Sequence, residues 1–280
     1  MAESNIYCYF YNVKREIEGL ILSKTKFQDR HLICKILLRS GKTVSVIFYG
    51  GQGGGTKKKS SILELGHMIQ IQLKYKKSSN DDNVFNSSEW KLIWSHEKIR
   101  EDHKAFYLMC FYLEVINKLS IEEDIYSEHI DFDTETKGLF RVLSNSLVHL
   151  NASVKSSTFD KDCELLIFIG KLLVELGVFP MRSNCVLTDK ILHDERSLVL
   201  LNDKGGFATA MGLNIDEYSH AESNSGRELW EKLGEISTKK YDEIDFKNIN
   251  NPSTVKLAWQ YLCFQFQLET SQFKTSSMVM

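Results

Sequence analysis

Residues 31–39 place an apolar side chain at every second position, which is typical of a β-strand with one buried face. The even positions carry Leu32, Cys34, Ile36 and Leu38, and the odd positions carry His31, Ile33, Lys35, Leu37 and Arg39. Residues 68–76 show the same period, with Ile69, Ile71, Leu73 and Tyr75 on one face. Both segments predict half-buried strands, and the first forms an antiparallel hairpin with the strand that follows it.

Three further segments complete the predicted sheet. The first is the short apolar run at residues 18–23. The second follows the turn at Ser40-Gly41 and has alternating apolar residues at Val44, Val46 and Phe48. The third has them at Trp90, Leu92 and Trp94. Five short strands of this kind favour a small barrel or an open sheet over a sandwich.

The pattern changes to helical spacing near residue 100. Helices are predicted at residues 102–119, 134–150, 160–176 and 225–233, and a last one begins at Asn251-Pro252. The predicted plan is therefore multidomain, β then α. It comprises an extension at residues 1–15, a β domain at residues 16–98, an α-helical domain at residues 99–270 with an irregular insert at residues 181–211, and a flexible tail at residues 271–280.

Charge is divided unevenly along the chain. The first hundred residues contain 17 Lys and Arg against nine Asp and Glu, whereas the remainder contains 18 against 28. A basic amino-terminal part indicates a polyanionic partner, although a purely solvated basic surface is the alternative.

The predicted DNA-binding residues cluster in and around the first strands. Lys35 and Arg39 lie about 13 Å apart on one strand face, a spacing that suits the tracking of phosphates. The other candidates extend this path: Lys24, Lys26, Arg30, Lys57, Lys58, Lys59, Lys74 and Lys76. Ile33 and Leu37 share the face and either contact bases or belong to the core.

The glycine-rich segment at residues 50–55 does not fit a nucleotide-binding loop. Gly50 and Gly55 have the spacing of a P-loop, but Thr56 occupies the position of the required lysine. No nucleophile motif, paired carboxylates or His/Cys pair with ligand spacing is visible, so the sequence favours a protein that is not an enzyme.

The six cysteines are scattered and form no disulfide framework, which indicates a reducing compartment. No secretory signal is visible at the start, and no apolar run reaches the roughly 20 residues of a membrane span. A cytoplasmic, nucleoid-associated protein that does not bind membranes is expected.

Several segments together resemble the bacterial recombination mediator family RecO. The opening of that family is similar to the segment EGLILSKTKFQDRHLICKILLRSGK. Its helix ending in L-G-x-x-P is similar to LLIFIGKLLVELGVFP, and the segment after its zinc region is similar to Lys204-Gly205-Gly206-Phe207. The resemblance implies an amino-terminal OB-fold, a small five-stranded barrel, followed by an α-helical domain. It also implies binding of single- and double-stranded DNA, strand annealing without ATP, and a role in DNA repair and recombination with RecR and the single-stranded DNA-binding protein.

One departure from the family concerns zinc. Cys185 matches the first of four ligating cysteines, but Thr188 stands at the second, and Phe207-Ala208-Thr209-Ala210 supplies none. One thiolate cannot hold a structural zinc ion, so no cofactor is expected.

The helical domain is expected to dock proteins. A groove with a basic rim would accept the acidic, apolar-ended tail of the single-stranded DNA-binding protein, and Lys137 and Arg141 are the candidates for that rim. Two alternatives stay open: an adaptor that binds only protein, and an enzyme whose residues assemble only in the fold.

Overall fold

The computed structural model describes residues 15–52, 60–73, 84–87, 89–122, 136–209, 213, 220–244, 248–251 and 253–280. Within these residues a six-stranded, mostly antiparallel sheet is followed by helices and a small two-stranded sheet. The predicted order of β before α is confirmed.

The large sheet has the strand order β5-β3-β2-β1-β4-β6. Its strands are β1 (Arg15–Phe27), β2 (His31–Leu38), β3 (Thr43–Phe48), β4 (Met68–Leu73), β5 (Val84–Ser87) and β6 (Trp90–Trp94). All neighbours are antiparallel except β3 and β5, which are parallel. Strand β5 was missed because it lies in a polar segment and has too few apolar residues to show a period.

The sheet curls towards closure because its two edge strands are consecutive in the chain. Strand β5 pairs with β3 and strand β6 pairs with β4, yet only residues 88 and 89 separate them. Two residues span at most about 10 Å between the flanking ends, so the two edges meet. The ring of Trp90 on β6 accordingly contacts that of Phe48 on β3 at 5.1 Å.

The inner face of this curled sheet, which is called the barrel below, is covered by the alternating residues predicted to be buried. Ile36, Cys34 and Val46 are fully buried, and Leu63 from the segment before β4 closes one end. The inner face of the sheet thus forms a hydrophobic cluster of its own.

Strand β1 is longer than predicted and bends. It extends beyond residue 23 through the polar segment Lys24-Thr25-Lys26, and its pairing with β2 shifts register between Ile21 and Ser23. A Cβ on Gly19 would lie 2.4 Å from a methyl group of Ile36, so glycine permits the close approach of β1 and β2.

The helices are α1 (His103–Leu119), α2 (Gly138–Lys155), α3 (Lys161–Glu175), α4 (His220–Thr238), α5 (Ser253–Phe266) and the short α6 (Ser276–Val279). Asp102 caps α1 by accepting the backbone N–H groups of Lys104 and Ala105, and Asp160 caps α3 through Cys163. Helix α2 begins later than predicted, and α4 is longer than predicted.

The predicted insert contains a small β-hairpin, β7 (Leu198–Leu201) paired with β8 (Gly206–Thr209). Every residue of both strands is buried, and β7 packs against α4. The insert that was predicted to be irregular therefore contains regular β structure around Gly205-Gly206.

The carboxyl-terminal tail was expected to be loose, and this expectation is wrong. Phe273 and Val279 are buried, and Phe273 contacts the rings of Phe111 and Trp259. The side chain of Glu114 accepts hydrogen bonds from the backbone N–H and hydroxyl of Thr275. Phe273 packs against α1 and α5. The residues next to it in the sequence are mostly polar, so the sequence did not indicate this contact.

The barrel and the helices share one hydrophobic cluster. Leu20 and Leu37, on the outer face of the barrel, are buried with Leu108 and Ile116 of α1. The backbone N–H of Thr43 donates to the carbonyl of Ile121 after α1, at 2.9 Å. The helices therefore cover one end of the outer face of β1, β2 and β3.

Candidate nucleic-acid interface

The outer face of β1, β2 and β3 has a covered end and an exposed end. Leu37 and Thr43 are fully buried beneath the helices at the covered end. At the other end, Ile33 and Ile47 are half-exposed cross-strand partners and Tyr49 is 46% exposed. Leu37 is thus a core residue, whereas Ile33 is accessible to a ligand.

Lys35 lies on this outer face, as the alternation predicts, but it has an acidic partner. Its Nζ is 3.2 Å from Oε1 of Glu122, which follows α1. Because the two charges neutralise each other, a phosphate can bind Lys35 only by displacing Glu122.

Arg39 lies at the covered end and links the barrel to the helices. Its guanidinium pairs with Glu18 at 2.6 Å, donates to the hydroxyl of Thr136 at 2.9 Å, and lies 5.6 Å from the centre of the Phe140 ring. This set of partners gives Arg39 a structural role, so the structure does not place it with the exposed basic residues.

Lys24 and Lys26 lie on the opposite face of β1. After the register shift, their cross-strand partners are Cys34 and Leu32 of the inner face, so both side chains emerge at the mouth of the barrel. Lys24 pairs with Glu64 at 2.6 Å. The structure therefore divides the predicted basic path between two faces.

Arg30 lies in the turn between β1 and β2, at the exposed end of the outer face. It and Lys26 are exposed, and no carboxylate of the described residues pairs with either. Arg30 borders the exposed end of the outer face and Lys26 borders the adjoining mouth of the barrel, so these two cations can contact a phosphate chain only where it crosses the rim between the two faces. The remaining candidates, Lys57, Lys58, Lys59, Lys74 and Lys76, lie outside the described residues.

Sequence reasoning missed an aromatic pair at the exposed end. The rings of His31 and Tyr49 are 4.9 Å apart and nearly perpendicular. Tyr49 follows Phe48 of the inner face, so the alternation of β3 could have placed it beside the odd-numbered residues of β2. The exposed end thus combines aromatic rings, β-branched apolar side chains and cations.

A second candidate site is a cleft of about 560 Å³ between α2, α3 and the segment after α4. Its apolar lining includes Val148 and Val174, which are 54% and 43% exposed. The basic residues that line it are Arg141, Lys171, Lys239 and Lys240. Arg141 pairs with Glu175 of α3.

Lys137 is not in the lining, and its backbone N–H donates to the carbonyl of Arg39 at 3.0 Å.

His149 in the lining of this cleft is half-buried and pairs with the buried carboxylate of Glu164. Nδ1 of His149 is 3.0 Å from Oε2 of Glu164, and this hydrogen bond raises the pKa of His149 despite the opposing effect of burial. Burial lowers the pKa of Lys171, whose Nζ donates to the carbonyl of Ile236 at 2.7 Å. The cleft lining therefore combines exposed apolar side chains with four basic residues and two acidic ones, Glu175 and Asp242.

Cys185 is buried in the insert without a second thiolate. Burial would raise the pKa of its thiol, but hydrogen bonds from the side chain of Thr188 and the backbone N–H of Thr209 lower it to about 7. Among the residues described, no group of three or more His, Cys, Asp or Glu side chains could hold a metal ion.

Comparisons with known proteins give no family for this chain. No family model matches the sequence, and no curated protein matches it. Among solved structures, it is similar to an Entamoeba histolytica asparaginyl-tRNA synthetase in complex with asparaginyl-adenylate, at 10% sequence identity and a TM-score of 0.25. The match covers 69% of this chain and 38% of that chain, and a likeness this weak carries no argument.

A helix that crosses a bilayer must be long and apolar. Within the described residues, no helix has both the length and the apolar character that crossing a membrane requires.

Proposed function

We propose that the barrel is an OB-fold domain that binds nucleic acid on the outer face of β2 and β3. If β5 and β6 are counted as one bent strand, the sheet is a five-stranded, partly open barrel, which is the architecture of OB-folds. Such barrels bind oligonucleotides on the face of their second and third strands. The observation that carries the proposal is the exposed end of that face, where Ile33, Ile47 and Tyr49 are accessible beside Arg30.

The wider function follows from this surface and from the resemblance to RecO. The protein would act as a DNA repair and recombination mediator that binds single- and double-stranded DNA and anneals complementary strands without ATP. Neutralising the phosphates of two strands lowers their repulsion, so a basic surface can promote annealing without covalent chemistry. With RecR, it would load recombinase onto strands coated by the single-stranded DNA-binding protein.

The cleft in the helical region is proposed to receive the tail of the single-stranded DNA-binding protein. An acidic peptide with an apolar end suits a cleft in which Val148 and Val174 are exposed and basic side chains outnumber acidic ones by four to two. Val148→Asp would place a negative charge in the cleft and weaken binding of a labelled tail peptide. Met278→Asp, at a site 56% exposed outside the cleft lining, is the matched control.

Two alternatives make different predictions. An adaptor that binds only protein would bind the tail peptide but no DNA at any salt concentration. An enzyme would turn over a small substrate, and no arrangement in the described residues favours a particular reaction.

Titration of labelled single-stranded DNA at two salt concentrations tests the proposal. Binding is expected to weaken steeply with salt. Lys26→Ala with Arg30→Ala should reduce the slope of log K against log salt by about 1.4, because each lost phosphate contact contributes about 0.7 on single strands.

Lys104→Ala with Lys256→Ala is the matched control, since it removes the same charge from exposed positions on α1 and α5. Absence of binding at low salt would refute the proposal. Equal slopes for the two double variants would show that binding uses another surface.

A further inference from the structure

The last row of side chains on the outer face of the barrel is aromatic across three strands. Phe27 of β1 is the cross-strand partner of His31 of β2, and the ring of His31 contacts that of Tyr49, directly after β3. The next row consists of Thr25, Ile33 and Ile47. Rows on one face of a strand are about 7 Å apart, so the aromatic row and the apolar row form one continuous strip.

The aromatic row is held in place by backbone hydrogen bonds. The N–H of Gly50 donates to Nδ1 of His31 at 3.0 Å, so Nδ1 is the acceptor and the ring proton lies on Nε2. The side chain of Gln52 donates to the carbonyl of His31 at 2.7 Å, and its backbone N–H donates to the carbonyl of Arg30. These bonds join the turn after β1 to the turn after β3, so both rings lie on one rigid unit.

The geometry of the pair leaves aromatic surface available. The planes of the two rings are 80° apart, an edge-to-face contact in which one ring presents only its edge to the face of the other. Tyr49 is 46% exposed. None of the row belongs to either hydrophobic cluster of the described residues.

The charge around the strip favours a polyanionic ligand. Arg30 is exposed in the turn beside His31, and Lys35, which is paired with Glu122, lies one row beyond Ile33 on the same strand. The first hundred residues carry an excess of eight basic residues, 17 against nine. An aromatic surface with cations at its borders is the arrangement by which proteins hold single-stranded nucleic acid.

We propose that Phe27, His31 and Tyr49 are a base-stacking platform, with Tyr49 as its main contact, that makes the barrel prefer unpaired strands to duplex. This inference rests on the proposed nucleic-acid binding and specifies the ligand of that surface. A base inside a duplex is already stacked on both sides, whereas an unpaired base can place its face on an aromatic ring. Phosphate contacts are available in single strands and in duplex alike, so a difference in affinity between the two forms arises only from base stacking on the aromatic rings.

The experiment compares Tyr49→Ala with wild type on a labelled 20-nucleotide strand and on the matching duplex. Affinity for the single strand is expected to fall by about 5- to 150-fold, the range that corresponds to loss of one stacked base. Affinity for the duplex should change by less than about twofold, and the salt dependence should stay the same because no charge is lost. Tyr49→Trp should retain single-strand binding, since it keeps an aromatic face.

Tyr107→Ala provides a matched control. Tyr107 is an exposed tyrosine on α1 that contacts Phe106 edge-to-face, so its removal deletes the same group outside the barrel. If Tyr49→Ala and Tyr107→Ala bind the single strand equally well, the stacking platform is refuted while nucleic-acid binding stands. An equal loss on strand and duplex would also refute it. If wild type binds neither form at low salt, the proposed function itself fails.

Discussion

Removal of the carboxylate of Glu122 should strengthen DNA binding, because this group occupies the position that a phosphate would take on Lys35. The Nζ–Oε1 distance is 3.2 Å, and Glu122 is 60% exposed whereas Lys35 is 23% exposed. Two unit charges at this distance attract by about 1 kcal/mol in water. Solvent screening and the cost of ordering two side chains reduce the net value of such an exposed pair to about 0.2–1 kcal/mol.

Glu122→Gln is therefore expected to increase affinity for a labelled strand by about 1.5- to 5-fold at low salt. The slope of log K against log salt should steepen by up to about 0.7, since Lys35 then releases counterions without an internal competitor. The fold should survive the change, because a backbone bond between Thr43 and Ile121 holds this segment independently. Fluorescence anisotropy at several salt concentrations measures both quantities.

Glu101→Gln is the matched control for net charge. Glu101 is 61% exposed and pairs with Lys98 at 2.9 Å, so the variant removes an equivalent ion pair that does not involve the barrel face. Debye screening over about 10 Å at 0.1 M salt makes its effect on the barrel small. If the two variants change affinity and slope equally, Lys35 is not a phosphate ligand and the reasoning is refuted.

Two further predictions concern stability. Burial lowers the pKa of His96 from 6.5 to about 4, so the unfolded state binds more protons at pH 5, and His96 alone should lower the free energy of unfolding by about 2 kcal/mol at pH 5 relative to pH 7. Urea denaturation at both pH values measures this difference. The difference should become smaller in His96→Phe, and an unchanged difference would show that another group causes it. Phe273→Ala should cost about 3–5 kcal/mol because the ring is buried against Phe111 and Trp259, whereas Met278→Ala at an exposed site should cost less than about 0.5 kcal/mol. A tail that contributes nothing to stability would give equal denaturation curves for the last two variants.

The alternation in residues 31–39 determined the strand and its two faces correctly, because one face is buried in the barrel. What the alternation could not reveal is that part of the opposite face is buried as well. Leu37 is apolar and lies beneath α1, while Ile33 is apolar and accessible, and only the position of the helices separates them. Long-range packing of this kind leaves no local period in the sequence.

The predicted basic residues lie on different surfaces of the barrel for two reasons that composition does not encode. The register shift in β1 moves Lys24 and Lys26 to the inner face, and distant acids pair with Lys35 and Arg39. Glu122 is 87 residues from Lys35 and Glu18 is 21 residues from Arg39. Pairs at such separations form only when the chain is folded. The aromatic pair of His31 and Tyr49 was likewise obscured by the turn that separates their strands.

Photo-crosslinking of a strand that carries a reactive base tests most directly whether the exposed end of the barrel binds nucleic acid. After proteolysis, mass spectrometry identifies the peptides attached to the strand. Adducts are expected in peptides that contain Phe27, His31 or Tyr49, and an excess of unlabelled single strand should remove them. Adducts confined to the helical region, with none in residues 25–52, would contradict the proposed interface.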